Sequence, residues 1–416
     1  SKVLKGQDGT TVKLLVEREG ESKPFEVVLK RAEIKINPVP YSGMVSDKIG
    51  YIKLNNFTSK ASSEIKNAFL ELKDNNELEG LILDLRSNPG GLLRESVNLV
   101  NLFVGKGKTI VSTKGKMEDW DKVHRALNAP IDAEIPLVVL VNSNSASASE
   151  IVSGALQDHD RAVVIGQKTF GKGLVQQTLK LTYNSQLKVT TAKYYIPSGR
   201  CIQALDYSNR NRDGSVGKVP DSLITEFKTG NGRIVYDGGG IDPDVITERK
   251  PPIKIVGKLM SKLLIFDYSV KYAREHKVLA PPQEFEISDA EYANFVAFLT
   301  DKDYTYTTES EKQMEELKKI AEKEYYFEDA KEEYLALKEK LTHKETDDLE
   351  KFKPEIKARL KNAIITRYYF QKGRVQGALS SDENVSKAIE VLSDKSAYNA
   401  ILSGTAVSEV NPEENK

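Results

Sequence analysis

Cysteine and histidine are scarce in this sequence: its 416 residues hold one Cys and four His. The lone thiol, Cys201, excludes an internal disulfide framework and any multi-cysteine zinc site. The histidines, His124, His159, His276 and His343, never approach HExxH spacing, so no metal and no other cofactor is expected. Surplus charge is missing too. Lys plus Arg number 61 and Asp plus Glu number 61, which removes the electrostatic case for a nucleic-acid partner. No apolar run reaches the ~18 residues of a membrane-spanning helix. No secretory leader is evident, but the first residue is Ser1 and not Met, so a removed N-terminal piece is the expectation.

Length alone argues for two or three domains. The hydrophobic fraction of 39% suffices for real cores, and 29% charged residues points to long solvated helices. Residues 1–33 alternate apolar and polar positions in TTVKLLVERE and KPFEVVLKRA around Gly20, which predicts two antiparallel strands. Two strands cannot sustain a domain, so this piece must pack on something or be a fragment. Residues 34–250 read as strand, helix, strand. KIGYIKLNNF, LEGLILDLRS, IPLVVLVNS, RAVVIGQ, VQQTLKL and LKVTTAKYYI are strand-like. ASSEIKNAFLELKDN, LLRESVNLVNLFV and SASASEIVSGALQDH are helical. Buried strands alternating with helices imply an α/β layer with parallel character. Residues 251–416 read as a helical domain. Met314, Leu317, Ala321, Tyr325, Ala330, Tyr334, Leu337 and Leu341 recur at helical steps, predicting one long helix or two. KPEIKARLKNAIITRYYFQKG carries a proline in its first turn and Gly373 after its last, as helix start and stop. The terminal NPEENK reads as disordered.

Three motifs in the middle segment carry chemistry. In VVLVNSNSASASEIVSGALQD a buried strand enters a small-residue turn from which a helix starts. A nucleophile placed there lies beside free backbone N–H groups and the positive end of a helix dipole, both suited to an oxyanion. Serines also cap helices, and that ordinary role competes for each of them. In TFGKG a lysine stands between two glycines, where the backbone can turn and aim the amine inward. Its use as a base requires a water-excluded pocket that disfavours the ammonium form. A solvated surface turn is the plain alternative. In SNPGG, paired glycines after a buried strand allow a backbone N–H to approach a ligand closely, although strand-to-helix turns use glycine in the same way.

LILDLRSNPGGLL, VNSNSASASEIVSGALQD, RAVVIGQKTFGKGLVQQ, TAKYYIPSGRCIQ and GGGIDPDV together resemble, in order, the carboxyl-terminal processing (tail-specific) serine peptidases. The resemblance implies a Ser–Lys centre: Ser147 as nucleophile, Lys172 (25 positions later) as general base, and Gln176 hydrogen-bonded to the lysine. Oxyanion donors would be the backbone N–H of Gly90 or Gly91 and of Ala148, and Asp158 would be a supporting residue. The implied fold is a crotonase/ClpP-like α/β core with a PDZ domain. Residues 1–33 match only the C-terminal part of such a domain, so it is expected to be incomplete. The helical region resembles an extension found in part of the family. Implied partners are protein or peptide substrates with flexible C-termini, bound by β-augmentation. An adaptor or self-association through the helical region, a membrane-anchored native form, and a periplasmic or cell-envelope location are implied in the same way.

Rival readings need other residues. A Ser–His–Asp triad would recruit His159, which otherwise ends a solvated helix. Cys201 could be a nucleophile but reads as a small buried thiol. Tyr325, Tyr326, Tyr368 and Tyr369 could form a ligand surface, but their helical spacing fits packing between helices. A non-catalytic binding or scaffold protein on the same fold, and a crotonase-like thioester enzyme, are the alternatives from other classes.

Overall fold

The computed structural model describes residues 3–34, 37–248 and 251–405. NPEENK lies outside the described residues. In chain order the elements begin with β1 (Thr11–Val16), β2 (Phe25–Lys30), β3 (Tyr41–Met44) and β4 (Ile49–Lys53). Next come α1 (Ala61–Asn75), β5 (Gly80–Asp84), α2 (Leu93–Asn101), β6 (Thr109–Gly115), β7 (Lys122–Arg125) and β8 (Leu137–Val141). The middle segment continues with α3 (Ala148–Asp158), β9 (Val163–Gly166), β10 (Leu174–Lys180) and β11 (Gln186–Tyr195). Five short strands follow: β12 (Leu205–Arg210), β13 (Val216–Lys218), β14 (Glu226–Lys228), β15 (Ile234–Tyr236) and β16 (Val245–Ile246). The helices α4 (Lys254–Ser261), α5 (Leu264–Glu275), α6 (Asp289–Phe298), α7 (Glu309–Lys323), α8 (Lys331–Leu341) and α9 (Glu345–Lys351) come next. The last three are α10 (Lys353–Ala378), α11 (Glu383–Ser393) and α12 (Lys395–Ser403).

Among the described residues the chain forms two compact units, 37–248 with 379–405, and 3–34 with 251–378. The first unit is built on a six-stranded sheet of order β16-β9-β8-β5-β4-β3. Its pairings are parallel except that of β3 with β4. Strands β5 and β8 are fully buried along their length. Their apolar runs are explained by cover on both faces. Leu81, Leu83, Leu137, Val139 and Val164 join one cluster with α1, α2 and α3. The alternate residues Ile82, Val138, Leu140, Val163 and Ile165 are equally buried on the opposite side, where α11 and α12 pack. A four-stranded antiparallel sheet, β10-β11-β6-β7, and two hairpins, β12–β13 and β14–β15, complete the unit.

The second unit has its own core. Ile255, Leu259, Ile265, Tyr268, Phe295 and Ile364 are among its buried residues, contributed by α4, α5, α6 and α10. The β1–β2 hairpin has the expected antiparallel register, Thr11 opposite Lys30. It belongs with these helices, tied by Arg274 to the Glu19 carbonyl (2.8 Å) and to Glu21 (3.2 Å).

Three sequence expectations need correction here. Residues 251–416 are not one helical domain, because α11 and α12 return to cover the sheet: their stripe of Val385, Ala388, Val391 and Leu392 is buried there. Gly373 does not stop its helix. α10 runs on to Ala378, with its break at Phe370 (φ 53°), and a Cβ at position 373 would fall 2.1 Å from Tyr369 Cβ. The amphipathic stretch from Met314 to Leu341 is the two helices its spacing allowed, and the correction concerns the packing of its tyrosines. Tyr325 adopts φ 64° in the turn between α7 and α8, which leaves Tyr325 91% and Tyr326 67% exposed instead of packed.

Candidate active site

Strand β8 ends at Val141, and the chain turns through Asn142–Ala146 into α3 with Ser147 at its N-cap. Ser147 has φ 56° and ψ −112°. A non-glycine residue there stores about 1–3 kcal/mol of strain, which surrounding contacts must hold. Its neighbours supply them. Ser145 Oγ donates to the Leu85 carbonyl (2.9 Å) and accepts the Asn142 N–H (3.0 Å). Ser149 Oγ donates to the Asn88 carbonyl (2.9 Å). Both serines are fully buried and spent on these bonds, whereas Ser147 is only half-buried.

The SNPGG turn lies against the same segment. Asn88, fully buried, donates its amide to the Leu54 carbonyl (2.9 Å), and its own carbonyl also accepts the Ala146 N–H (3.0 Å). Gly90 has φ 99°, and a Cβ there would stand 2.7 Å from Ala146 O, 2.8 Å from Ser147 Cβ and 2.9 Å from Ala148 N. Glycine is required at this close approach. The Gly90 N–H donates to Asn88 Oδ1 (2.9 Å). By contrast, the backbone N–H groups of Gly91 and Ala148 have no acceptor among the described residues. Of the glycine pair, Gly91 therefore keeps its donor free.

Glu150 joins the serine turn to TFGKG. Its side chain is fully buried at the first turn of α3. Oε2 accepts the N–H of Ser147 (2.7 Å) and of Lys172 (2.9 Å). Oε1 accepts the Gly171 N–H (2.6 Å) and the Thr169 hydroxyl (2.6 Å). Burial pushes the carboxyl above its usual range, and the four donors oppose that push. Gly171 and Gly173 let this loop lie on its support, since Cβ atoms there would meet Ala204 Cβ at 2.3 Å and Gln203 N at 2.6 Å. Sequence reasoning missed Glu150. The signal was present as the S-x-x-E spacing of a capping box from Ser147 to Glu150.

The side chains of the expected base and its partner are not joined. Lys172 is exposed, and among the described residues its ammonium makes no hydrogen bond or ion pair. The water-excluded pocket expected around it is not formed. Gln176 is exposed on β10, just after a bulge between Val175 and Gln176, and makes no hydrogen bond to Lys172. Bulges re-aim side chains beside active sites. Asp158 is buried at the far end of α3, paired with Arg200 (2.9 Å) and accepting the Ser198 N–H (2.8 Å). His159 C-caps that helix, about 18 Å along the axis from Ser147, and its Nε2 lies 2.7 Å from the Thr109 carbonyl, so no triad assembles. Burial pushes the Cys201 thiol up, away from the reactive thiolate. Among the described residues no group of three or more His, Cys, Asp or Glu could hold a metal ion.

A serine presented at a strained strand-to-helix turn, beside the free backbone N–H of Ala148, has parts that nucleophilic acyl transfer uses. Residues 48–208 match the model of peptidase family S41. Residues 255–392 match a family described as "Probable PDZ-protease, C-terminal helical domain". Among curated proteins, the "Carboxy-terminal-processing protease" of Bartonella bacilliformis is 42% identical over 226 residues, covering 54% of this chain and 49% of the relative. A "Probable CtpA-like serine protease" of Staphylococcus haemolyticus is 39% identical over 202 residues, covering 48% and 40%. The chain thus spans half or less of the length of these relatives. A solved photosystem II D1 C-terminal processing protease is 29% identical, with a TM-score of 0.39, covering 58% of this chain and 57% of that one.

Proposed function

We propose that this chain carries the catalytic machinery of a carboxyl-terminal processing serine endopeptidase. One observation carries the reading: a single oxygen of Glu150 holds the backbone of both Ser147 (2.7 Å) and Lys172 (2.9 Å). Two loops distant in sequence are thereby fixed against each other at the mouth of α3, as a Ser–Lys centre needs. Lys172 accepts the proton of the Ser147 hydroxyl while Oγ attacks the scissile carbonyl, and the N–H groups of Ala148 and Gly91 bind the oxyanion. Collapse of the tetrahedral adduct breaks the C–N bond, and Lys172 returns its proton to the leaving amine. Water, deprotonated by the same lysine, then hydrolyses the acyl-enzyme. The exposed amine must first come under cover to lose its proton, and the bound polypeptide supplies that cover, with Gln176 turning in to orient the lysine.

The same reading makes β1–β2 the C-terminal part of a PDZ domain and the core a crotonase/ClpP-like layer. It places the protein in the periplasm or cell envelope, membrane-anchored in its native form, acting on flexible C-termini. The helical unit then serves an adaptor or a second copy. Among the described residues no helix is long and apolar enough to cross a membrane.

A second reading, a binding protein without proteolysis, draws on the exposed Lys172 amine. Hydrolysis of denatured casein, with fluorophosphonate labelling of Ser147, separates the two. Ser147→Ala should abolish both signals and Lys172→Ala should lower turnover by about 10³-fold or more. Full cleavage by either variant would sink the peptidase reading. Wild type that neither cleaves nor labels would favour the binding protein.

A further inference from the structure

Arg86, the residue before the SNPGG turn, is the hub of a charged quartet on the sheet. Asp84, the fully buried last residue of β5, accepts the Tyr51 hydroxyl (2.6 Å) and pairs with Lys53 (3.2 Å). It also takes the Arg86 Nε on Oδ1 (3.1 Å), Nη2 on Oδ2 (2.8 Å) and the Arg86 backbone N–H on Oδ1 (2.8 Å). The other edge of the guanidinium grips Asp382 with two hydrogen bonds, Nη1 to Oδ1 (2.9 Å) and Nη2 to Oδ2 (2.7 Å), across 296 residues of sequence. Asp382 stands at the N-cap of α11, where Oδ1 also accepts the N–H of Asn384 (3.0 Å) and Val385 (3.2 Å).

Two cations and two carboxylates balance there. Without the Asp382 charge, Lys53 and Arg86 would compete for one buried carboxylate, and an unpaired guanidinium is costly where little water reaches it. The Arg86 side chain is 16% exposed, so it has a way out toward solvent. Its backbone N–H is bound to the same Asp84, so movement of the side chain pulls on residues 86 and 87. Ser87, at φ 60°, is held in its strained conformation by Asn142 Oδ1 (2.8 Å). Gly91 lies four residues further on. Oxyanion donors work only within about 2.7–3.1 Å of the developing charge, so a small drift of the turn is felt in turnover.

We propose that Asp382 is a positioning residue for the SNPGG oxyanion turn, acting through Arg86. This rests on the peptidase reading for its effect on turnover, but not for its effect on the turn. The competing role is a helix cap alone, and two substitutions separate the roles. Asn and Ser both cap helices about as well as Asp, so Asp382→Asn and Asp382→Ser keep the cap and remove the charge. Asp394 caps α12 through the N–H of Ser396 and Ala397, so Asp394→Ala is the control for cap loss in the same helix pair.

The experiment combines casein hydrolysis with hydrogen–deuterium exchange over residues 85–92 in the full chain. In both Asp382 variants kcat should fall by about 10- to 100-fold with KM within about twofold, short of the loss of a whole donor. Exchange over residues 85–92 should rise in step. Asp394→Ala should lower the melting temperature and leave kcat and that exchange unchanged. Wild-type kcat and exchange in either Asp382 variant would overturn the inference, as would the same exchange rise in Asp394→Ala. If wild type fails to cleave casein while the Asp382 variants still loosen residues 85–92, the peptidase reading falls and the positioning stands.

Discussion

A carboxylate that accepts four hydrogen bonds has no room left for water, and at Glu150 the four donors come from both halves of the proposed site. Glutamine cannot copy this arrangement, because its amide NH₂ must face one pair of donors. Turned toward Ser147 and Lys172 it orphans two backbone N–H groups. Turned the other way it orphans that of Gly171, since the Thr169 hydroxyl can rotate. Glu150→Gln should therefore cost about 1–3 kcal/mol of stability for the buried donor left unmade. The sign of the pH dependence follows from the raised carboxyl. Burial lifts Glu150 above its ordinary 4.5, so the folded state holds that proton more tightly than the unfolded chain does. Stability contributed by this group is present below 4.5 and is lost as pH rises through the folded value. Denaturant melts of wild type and Glu150→Gln from about pH 8 to about pH 5 should thus show a gap that widens toward acid. A gap that narrows over that range would show that the donors, and not burial, dominate at Glu150.

At the scale of elements, packing reached from far along the chain decides what local pattern leaves open. Tyr398 of α12 accepts the Leu137 N–H (2.9 Å) and donates to the Leu137 carbonyl (3.2 Å), closing the buried start of β8. Tyr398→Phe should cost about 1–3 kcal/mol in a denaturant melt by orphaning that N–H. It should leave kcat unchanged, because Ser147 follows the other end of β8. The local part of the fold was legible: the period of ASSEIKNAFLELKDN matches α1 at both ends, and the apolar runs of β5, β8 and β9 announced strands buried on two faces. What the sequence could not announce was the source of the second cover, since α11 reads as any amphipathic helix. The strands β12 to β15 were missed because they are three to six residues long and their short hairpins bury too little to show a period. In the site, the three turns were readable as motifs and Glu150 as a cap spacing. Asp382 was not, because an acidic N-cap before a helix carries no mark of an arginine 296 residues away.

At the scale of the molecule, the division of the chain into compact units differs from its division by texture, and the difference can be tested. A boundary at residue 250 would let residues 34–250 fold alone. The structure instead covers the second face of the sheet, Ile82, Val138, Leu140, Val163 and Ile165, with residues from beyond Ala378. Val385, Val391, Leu392 and Tyr398 are each at most 6% exposed there. Each aliphatic side chain returned to water costs about 1.5–3 kcal/mol, so losing this cover removes on the order of 10 kcal/mol. That is comparable to the whole net stability of a domain, roughly 5–15 kcal/mol. Residues 34–250 expressed alone should therefore aggregate, the bared strands offering a wide apolar patch. Co-expression with a separate segment spanning residues 379–405 should recover soluble protein, because the Arg86–Asp382 pair and the Leu392 contact with Gly80 need no covalent link. The readout is the soluble fraction and a cooperative melt. If residues 34–250 melt cooperatively by themselves, the returning helices are an accessory and the sheet is stable with one face covered.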